Sequence, residues 1–498
     1  MSNARKPLEV FAADPTQAIR LDKIEEHPYR DKFQRDRDRI LYSKEFRRLS
    51  GKTQVFIAGY DDNMRTRLTH TLEVAQIAVT IAKRLGLNET LTEAIAFGHD
   101  LGHTPFGHVG ERTLNYIMNG CFPYYGFNTD LVSEEKGFKH NLQGMRVASF
   151  LEDSGKAEKH GLNLTKYTLW GIANHSSLKY KECEFCRNHR KCRYKNRDKE
   201  CLGTLSVGFY DRYLQMFNES TDWTFEAVIV AYADEIAQRH HDIEDGIYAG
   251  VIDQRNLCDY INNEGRFDQT FRDKIYDLLS KTSEPLNTQK CAYAEAERSS
   301  FIRNISRIII DYYVTSYSDT LGDVVTSLKD KLRIDYACDC DSWKKKMYDY
   351  VKGQNSSIID FFGYTEAMQN ADKSFGKYLS HHILYSELAQ SMDGKASYII
   401  RQLFKAYLTN PQQLPDKTIM SIVQNWCEKN SVQTLIPKSH MTNESSARDK
   451  LKDLITKDDA DIRGLLIRRI CDYISGMTDQ YALKCFSQLY ESNAVFYK

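Results

Sequence analysis

Apolar residues recur along this chain mostly at helical spacing. His70, Val74, Ile77, Ala78, Ile81 and Leu85 stand at i, i+4, i+7, i+8, i+11 and i+15, one stripe on one face of a helix, and Gly86 follows as a natural stop. A second helix is predicted from Glu89 to about Leu101 on Leu91, Ala94, Ile95 and Leu101. In TFEAVIVAYADEIAQRHHD, Ala227, Val230, Ala231 and Asp234 repeat at i, i+3, i+4 and i+7. An arginine-rich segment reads as helical from about Asp36 to Leu49, with alternating Arg and Asp suited to a salt-bridged surface face. Residues 260–380 continue in amphipathic helices, of which FIRNISRIIIDYYV is the clearest, and GLLIRRICDYISGMTDQYALKCF closes the pattern. The expected fold class is all-α.

Two polar residues sit on these stripes where apolar ones belong. His70 is on the buried face of its helix, and a lone buried histidine is most often a satisfied core residue. Asp234 lies on the apolar face of another helix, where an unpartnered carboxylate is costly and normally takes a partner or a metal. The adjacent pair His99-Asp100 ends the helix between them. Neighbouring helical residues point about 100° apart, so both reach one ion only at a crowded helix end. Gly98 and Gly102 flank the pair and allow close approach of backbone and ion. His70, His99, Asp100 and Asp234 offer two nitrogen and two oxygen ligands with positions left open, the pattern of a catalytic rather than a structural site.

Beyond the pair, His108 and Glu111 are i and i+3 on a helix opening in TPFGHVGERTLN, hence neighbours on one face. A carboxylate on one ring nitrogen orients an imidazole for proton transfer; a first-turn Glu that merely complements the helix dipole is the plainer reading. In ANHSSLKY, Lys179 is a candidate phosphate-binding ammonium, against the commoner reading of a solvated side chain.

Composition narrows the classes. Lysine plus arginine total 68 and aspartate plus glutamate total 68 among 498 residues, so no global field favours nucleic acid or a membrane surface. No apolar run is long enough to span a bilayer, and MSNARKPLEVFAADP is polar and mixed rather than a signal peptide, which points to a cytoplasmic protein without a membrane partner. The twelve cysteines then read as reduced thiols or metal ligands, not a disulfide framework. Cys183, Cys186, Cys192 and Cys201 form C-x2-C-x5-C-x8-C in a charged segment, a pattern suited to Zn²⁺ or an iron–sulfur cluster, with an ordinary exposed loop as the alternative. Arg187, Arg190, Lys191, Arg193 and Lys195 in the same segment could face nucleotide phosphates or single-stranded nucleic acid, although a solvated loop is the simpler outcome. The expected organisation is a polar lead-in over 1–30, a catalytic core over 31–260 with a cysteine-rich insertion at 181–203, a helical extension over 261–380, and a C-terminal helical region over 381–498.

The pattern H…HD…D resembles the signature of the HD-domain phosphohydrolases. Four longer strings, SKEFRRLSGKTQVF at 43–56, TRLTHTLEVAQIA at 66–78, HDLGHTPFGHVGE at 99–111 and DYISGMTDQYA at 472–482, resemble the bacterial deoxyguanosine triphosphate triphosphohydrolases, relatives of the animal HD-domain dNTP hydrolase. That resemblance implies an all-α HD core and metal-dependent hydrolysis of deoxynucleoside triphosphates, dGTP favoured, to deoxynucleoside and tripolyphosphate. It implies a divalent metal (Mg, Mn or another transition metal) at His70, His99, Asp100 and Asp234. His108 and Glu111 match the family's catalytic pair, and His103 a further active-site histidine of some members. Gln54 matches a glutamine that reads the sugar 3′-hydroxyl, Arg67 an arginine on a phosphate, and Asp242 a sugar-facing aspartate. His140 in FKHNLQGMR matches a second active-site imidazole. Gln238 departs from the tyrosine that relatives carry four residues after the metal aspartate. DYISGMTD resembles a C-terminal helix lying against the pocket and subunit contacts, and the family implies a homo-oligomer with a dNTP effector. The alternatives are another HD phosphohydrolase, acting on nucleoside monophosphates or a signalling nucleotide, and a non-catalytic nucleotide or nucleic-acid-binding protein on the same scaffold.

Overall fold

The computed structural model describes residues 6–54, 65–122, 133–152, 161–178, 205–280, 292–334, 342–430, 444–457 and 460–491. Lys179 and the four cysteines 183, 186, 192 and 201 lie outside the described residues. The fold is all-α: among the described residues the extended pairings are two isolated bridges, Arg20 with Thr165 and Thr53 with Thr66. No described helix is long and apolar enough to cross a membrane.

The stripe helix runs Arg67–Leu85. Thr66 caps its start by accepting from Thr69 N, and Gly86 ends it at φ +87°, a left-handed conformation that glycine adopts without a Cβ penalty. Asn88 caps the next helix, Glu89–Gly98, and Thr224 caps the long helix Phe225–Tyr248. These three pack against one another through Val74, Ile77, Ala78, Ile81, Leu91, Ile95, Val228, Ile229 and Ile236, all buried. Each of the Val, Leu and Ile side chains among them contributes about 1.5–3 kcal/mol by leaving water. The second helix stops at Gly98, about three residues earlier than its apolar period predicts, so His99 already occupies the cap position.

The structure departs from the sequence pattern in three places. The arginine-rich segment is two helices, Lys32–Leu41 and Lys44–Arg48, because the Ser43 hydroxyl accepts from Phe46 N at 3.1 Å and starts a new helix. Its face is not wholly a surface one either. Asp36 is fully buried, 2.6 Å from Arg20 and accepting from Thr165 N at 2.9 Å. Residues 6–18 are no mere lead-in, since Leu8, Phe11, Ala13 and Ala18 are buried in the same core as the three helices. Isolated apolar residues without a period carry no signal until the partner surface exists.

A second apolar core gathers Ile399, Leu403, Ile422, Ile470 and Ile474 from the C-terminal helices against Leu114, Met118 and Phe138. DYISGMTD does not form one helix: Ala460–Ser475 ends there and Asp479–Tyr490 begins, capped by Thr478. Both acidic residues of the string reach back to residues far earlier in the chain. Asp472 pairs with Arg146 through two contacts, at 3.0 and 2.6 Å, and accepts from Gln143 at 3.1 Å. Asp479 accepts from Thr53 N at 3.1 Å and Phe106 N at 2.8 Å.

The buried Arg146–Asp472 pair gives a first prediction. Burial opposes the Asp472 charge, but Arg146 outweighs it and lowers the pKa. A depressed carboxyl stabilises the fold above its unfolded pKa, and that contribution is lost as pH falls through the folded value. At neutral pH, Asp472→Ala leaves the guanidinium buried without its counter-charge, so stability drops by about 3–5 kcal/mol. A urea midpoint unchanged from wild type would show that the pair does not join the two cores.

Candidate functional site

Helices bring His70, His99 and Asp234 to one point, with Asp100 beside them grouped with His140 and His175 instead. His70 comes from the first turn of Arg67–Leu85, His99 and Asp100 from just beyond Gly98, and Asp234 from the middle of Phe225–Tyr248. His70 Nε2 lies 3.0 Å from Asp234 Oδ1 and 4.0 Å from Asp100 Oδ2. His99 Nε2 lies 3.4 Å from Asp100 Oδ1 and 3.9 Å from Asp234 Oδ1. His99 Nδ1 sits 2.6 Å from the Ala96 carbonyl, which accepts its proton and leaves Nε2 as a lone pair. That buried Nε2 has no hydrogen-bond partner.

A lone pair aimed at carboxylates is unfavourable without a cation, and a divalent ion supplies what the group lacks. Donor atoms of His70, His99 and Asp234 lie within 4.8 Å of one another, a spacing that fits a shared ion. Asp100 is divided: Oδ2 accepts from Arg67 Nη1 at 2.8 Å and Oδ1 lies 3.1 Å from His103 Nε2. Asp100 is held in the ionised form that a metal needs: burial opposes the charge and is outweighed by the Arg67 guanidinium.

Beside this group stands a second cluster. The helix Gly107–Met118 carries His108 and Glu111, the helix His140–Arg146 begins with His140, and His175 follows Lys166–Asn174. Glu111 Oε2 is 2.8 Å from His140 Nδ1 and 3.4 Å from His108 Nδ1. The carboxylate expected to orient His108 thus makes its shorter contact with His140. Burial works against the Glu111 charge, but His140 and His108 hold its pKa well below the usual range. His103 stacks on His140 with ring centroids 4.0 Å apart. The His108 side chain is 55% exposed, which leaves it the member open to a substrate.

The loop His99–His103 lies on the His140 helix because residue 102 is glycine. A Cβ there would stand 2.1 Å from both the His140 carbonyl oxygen and Gly144 N. The close approach is therefore of backbone to backbone, rather than of backbone to an ion. Phe106, just before the His108 helix, adopts φ +61°, and Asp479 holds its N–H. The same carboxylate binds Thr53, next to Gln54, so a C-terminal residue positions both edges of the site.

Among the residues expected to bind substrate, Arg67 is buried and keeps Nε and Nη2 without partners. Gln54 has a buried, unpartnered Oε1. Arg67 Nη2 and the Gln54 carbonyl lie 3.7 and 3.5 Å from the Cβ position of Gly107, which places both at the His108 helix. Asp242, two turns beyond Asp234, is pushed up to about 6 by burial, offset in part by Arg239 and His108.

Sequence reasoning missed His175, Lys52, His241 and Glu73. His175 Nε2 is 3.2 Å from His140 Nε2, its Nδ1 is 2.8 Å from the Ile172 carbonyl, and burial pushes its pKa down to about 3. Its signal was present: like His99, it immediately follows an apolar helix. Lys52 Nζ, fully buried, donates to the carbonyls of His103 and Ser475 and ties the site loop to the C-terminal helix. His241 stands two turns from Asp234 on the same face and contacts His70, whereas Glu73 is i+3 from His70 and meets His241.

The chain is similar in sequence to known proteins. Residues 67–239 match the HD domain, and residues 362–432 and 428–488 match the phosphohydrolase-associated domain. A deoxyguanosinetriphosphate triphosphohydrolase-like protein of Geobacter sulfurreducens is 32% identical over 465 residues, 93% of this chain and 89% of that protein. One from Geobacter metallireducens is 32% identical over 98% of this chain and 97% of its own, and one from Rickettsia bellii 30% identical over 98% and 99%. With the HD domain lying over the helices that carry His70, His99, Asp100 and Asp234, and relatives aligned along nearly the whole length, the chain belongs to the deoxyguanosinetriphosphate triphosphohydrolase-like family of HD-domain proteins.

Proposed function

We propose that this protein is a divalent-metal-dependent phosphohydrolase that cleaves deoxynucleoside triphosphates, dGTP favoured, to deoxynucleoside and tripolyphosphate. The observation that carries the metal site is the unpartnered, buried Nε2 of His99 facing Asp100 and Asp234. His70, His99, Asp100 and Asp234 would hold the ion, which when bound supplies Lewis-acid polarisation of the α-phosphate. Arg67 is anchored to Asp100 through Nη1, so its remaining N–H groups are fixed in direction and can take phosphate oxygens. His108 gives a proton to the departing 5′-oxygen or takes one from the attacking water, and Glu111 with His140 sets the charge beside it. Gln54 and Asp242 receive the sugar hydroxyl and sugar face. The preference for dGTP follows the relatives' names, and a homo-oligomer with a dNTP effector follows the same family reading.

The test is a panel of dNTPs, nucleoside monophosphates and cyclic or signalling nucleotides, each with Mg²⁺, Mn²⁺ or Co²⁺, with products resolved by anion-exchange chromatography. Tripolyphosphate and deoxynucleoside in equal amounts are expected, with chelator removing both. Release of orthophosphate from monophosphates alone would replace this reading by another HD phosphohydrolase activity.

A further inference from the structure

His70 and His99 approach the metal position from different helices, and each has its other ring nitrogen engaged. For His99 the partner is the Ala96 carbonyl at 2.6 Å, which can only accept, so Nδ1 carries the proton. His70 has another histidine instead: its Nδ1 is 3.1 Å from Nδ1 of His241, which is fully buried. His241 Nε2 in turn meets Glu73 Oε2, and Arg65 Nε lies 3.2 Å from that same oxygen. Helical spacing builds the chain of contacts. Glu73 is one turn from His70 and His241 two turns from Asp234, so one face of each helix supplies it.

The donors follow from elementary bookkeeping. A carboxylate accepts only, so the single proton of an uncharged His241 sits on Nε2 and points to Glu73. Its Nδ1 is then an acceptor, and the proton between the two imidazoles belongs to His70. His70 Nε2 is left as a lone pair, 3.0 Å from Asp234 Oδ1. We infer that Glu73 and His241 are positioning residues that fix the tautomer of His70, so that Nε2 is offered to the metal. This rests on the reading of His70 as a ligand.

A rival use of the same atoms exists. His240, 4% exposed, has neither ring nitrogen partnered, and its Nε2 is 3.6 Å from Glu73 Oε2, so Glu73, His240 and His241 could hold a second ion. An ion on His241 Nε2 would move the proton to Nδ1 and make His241 the donor to His70, whereas keeping the relay as well would leave an imidazole with no proton at all. The relay and the second ion therefore exclude each other.

The experiment is competition of the full-length protein with a chromophoric chelator for Co²⁺, together with the Co²⁺ absorption spectrum and metal stoichiometry. Glu73→Leu and His241→Leu are expected to weaken Co²⁺ binding by about 10–100-fold, the usual cost of losing the group behind a ligating histidine. Glu73→Gln, whose amide oxygen still accepts from His241, recovers most of the affinity and the wild-type spectrum, a rescue that loss of packing would not give. Wild-type affinity in both leucine variants, with binding lost in His70→Ala, overturns the relay and leaves the ligand reading standing. Wild-type affinity in His70→Ala overturns the ligand reading itself. Equal losses in Glu73→Gln and Glu73→Leu overturn tautomer control. Two ions per wild-type chain, falling to one in His240→Ala, overturn the relay in favour of the second site.

Discussion

Replacing Asp234 with alanine is expected to remove metal binding and abolish hydrolysis. Asp234 Oδ1 stands 3.0 Å from His70 Nε2 and 3.9 Å from His99 Nε2, so the substitution deletes one of three donors that lie within reach of a shared ion. An ion held at a hundred times its dissociation constant stabilises the native state by about 2.7 kcal/mol. The wild type should therefore melt higher on adding metal, and Asp234→Ala should not respond. His70→Ala and His99→Ala should behave alike in metal binding and turnover. Full metal occupancy and turnover in any of the three would show that the ion sits elsewhere.

His108→Ala is expected to lower turnover at least ~10²-fold with metal still bound, the scale of a lost general acid or base. Glu111→Gln should fall in the same direction, through two imidazoles rather than one. Glu111 is closer to His140, at 2.8 Å, than to His108, at 3.4 Å. His140→Ala should therefore also impair turnover, and the Glu111→Gln/His140→Ala double variant should lose little more than the worse single one, because contacting residues in one network are not additive. Near-normal turnover in His108→Ala, beside a full loss in His140→Ala, would transfer the proton to His140.

Much of the helical scaffold could be read directly from the chain. The stripe from His70 to Leu85 ends at Gly86 as its period requires, because a helix face repeats every 3.6 residues whatever it packs against. The same periodicity marks His70 and Asp234 as polar residues in apolar positions, and His99 at a helix end joins them in the group that the fold assembles, whereas Asp100 stands with His140 and His175. Other features depend on groups far apart in sequence and left no local trace. Ser43 breaks the arginine-rich helix by a hydroxyl bond competing with a continuous period. Asp479 selects Thr53 and Phe106, and Glu111 prefers His140 to its own helical neighbour. Nδ1 of His70 meets that of His241, 171 residues away. Periodicity is a property of the chain and survives in the sequence. The partner of a buried polar group is decided only when helices close on one another, since desolvation then makes each unmatched donor or acceptor costly.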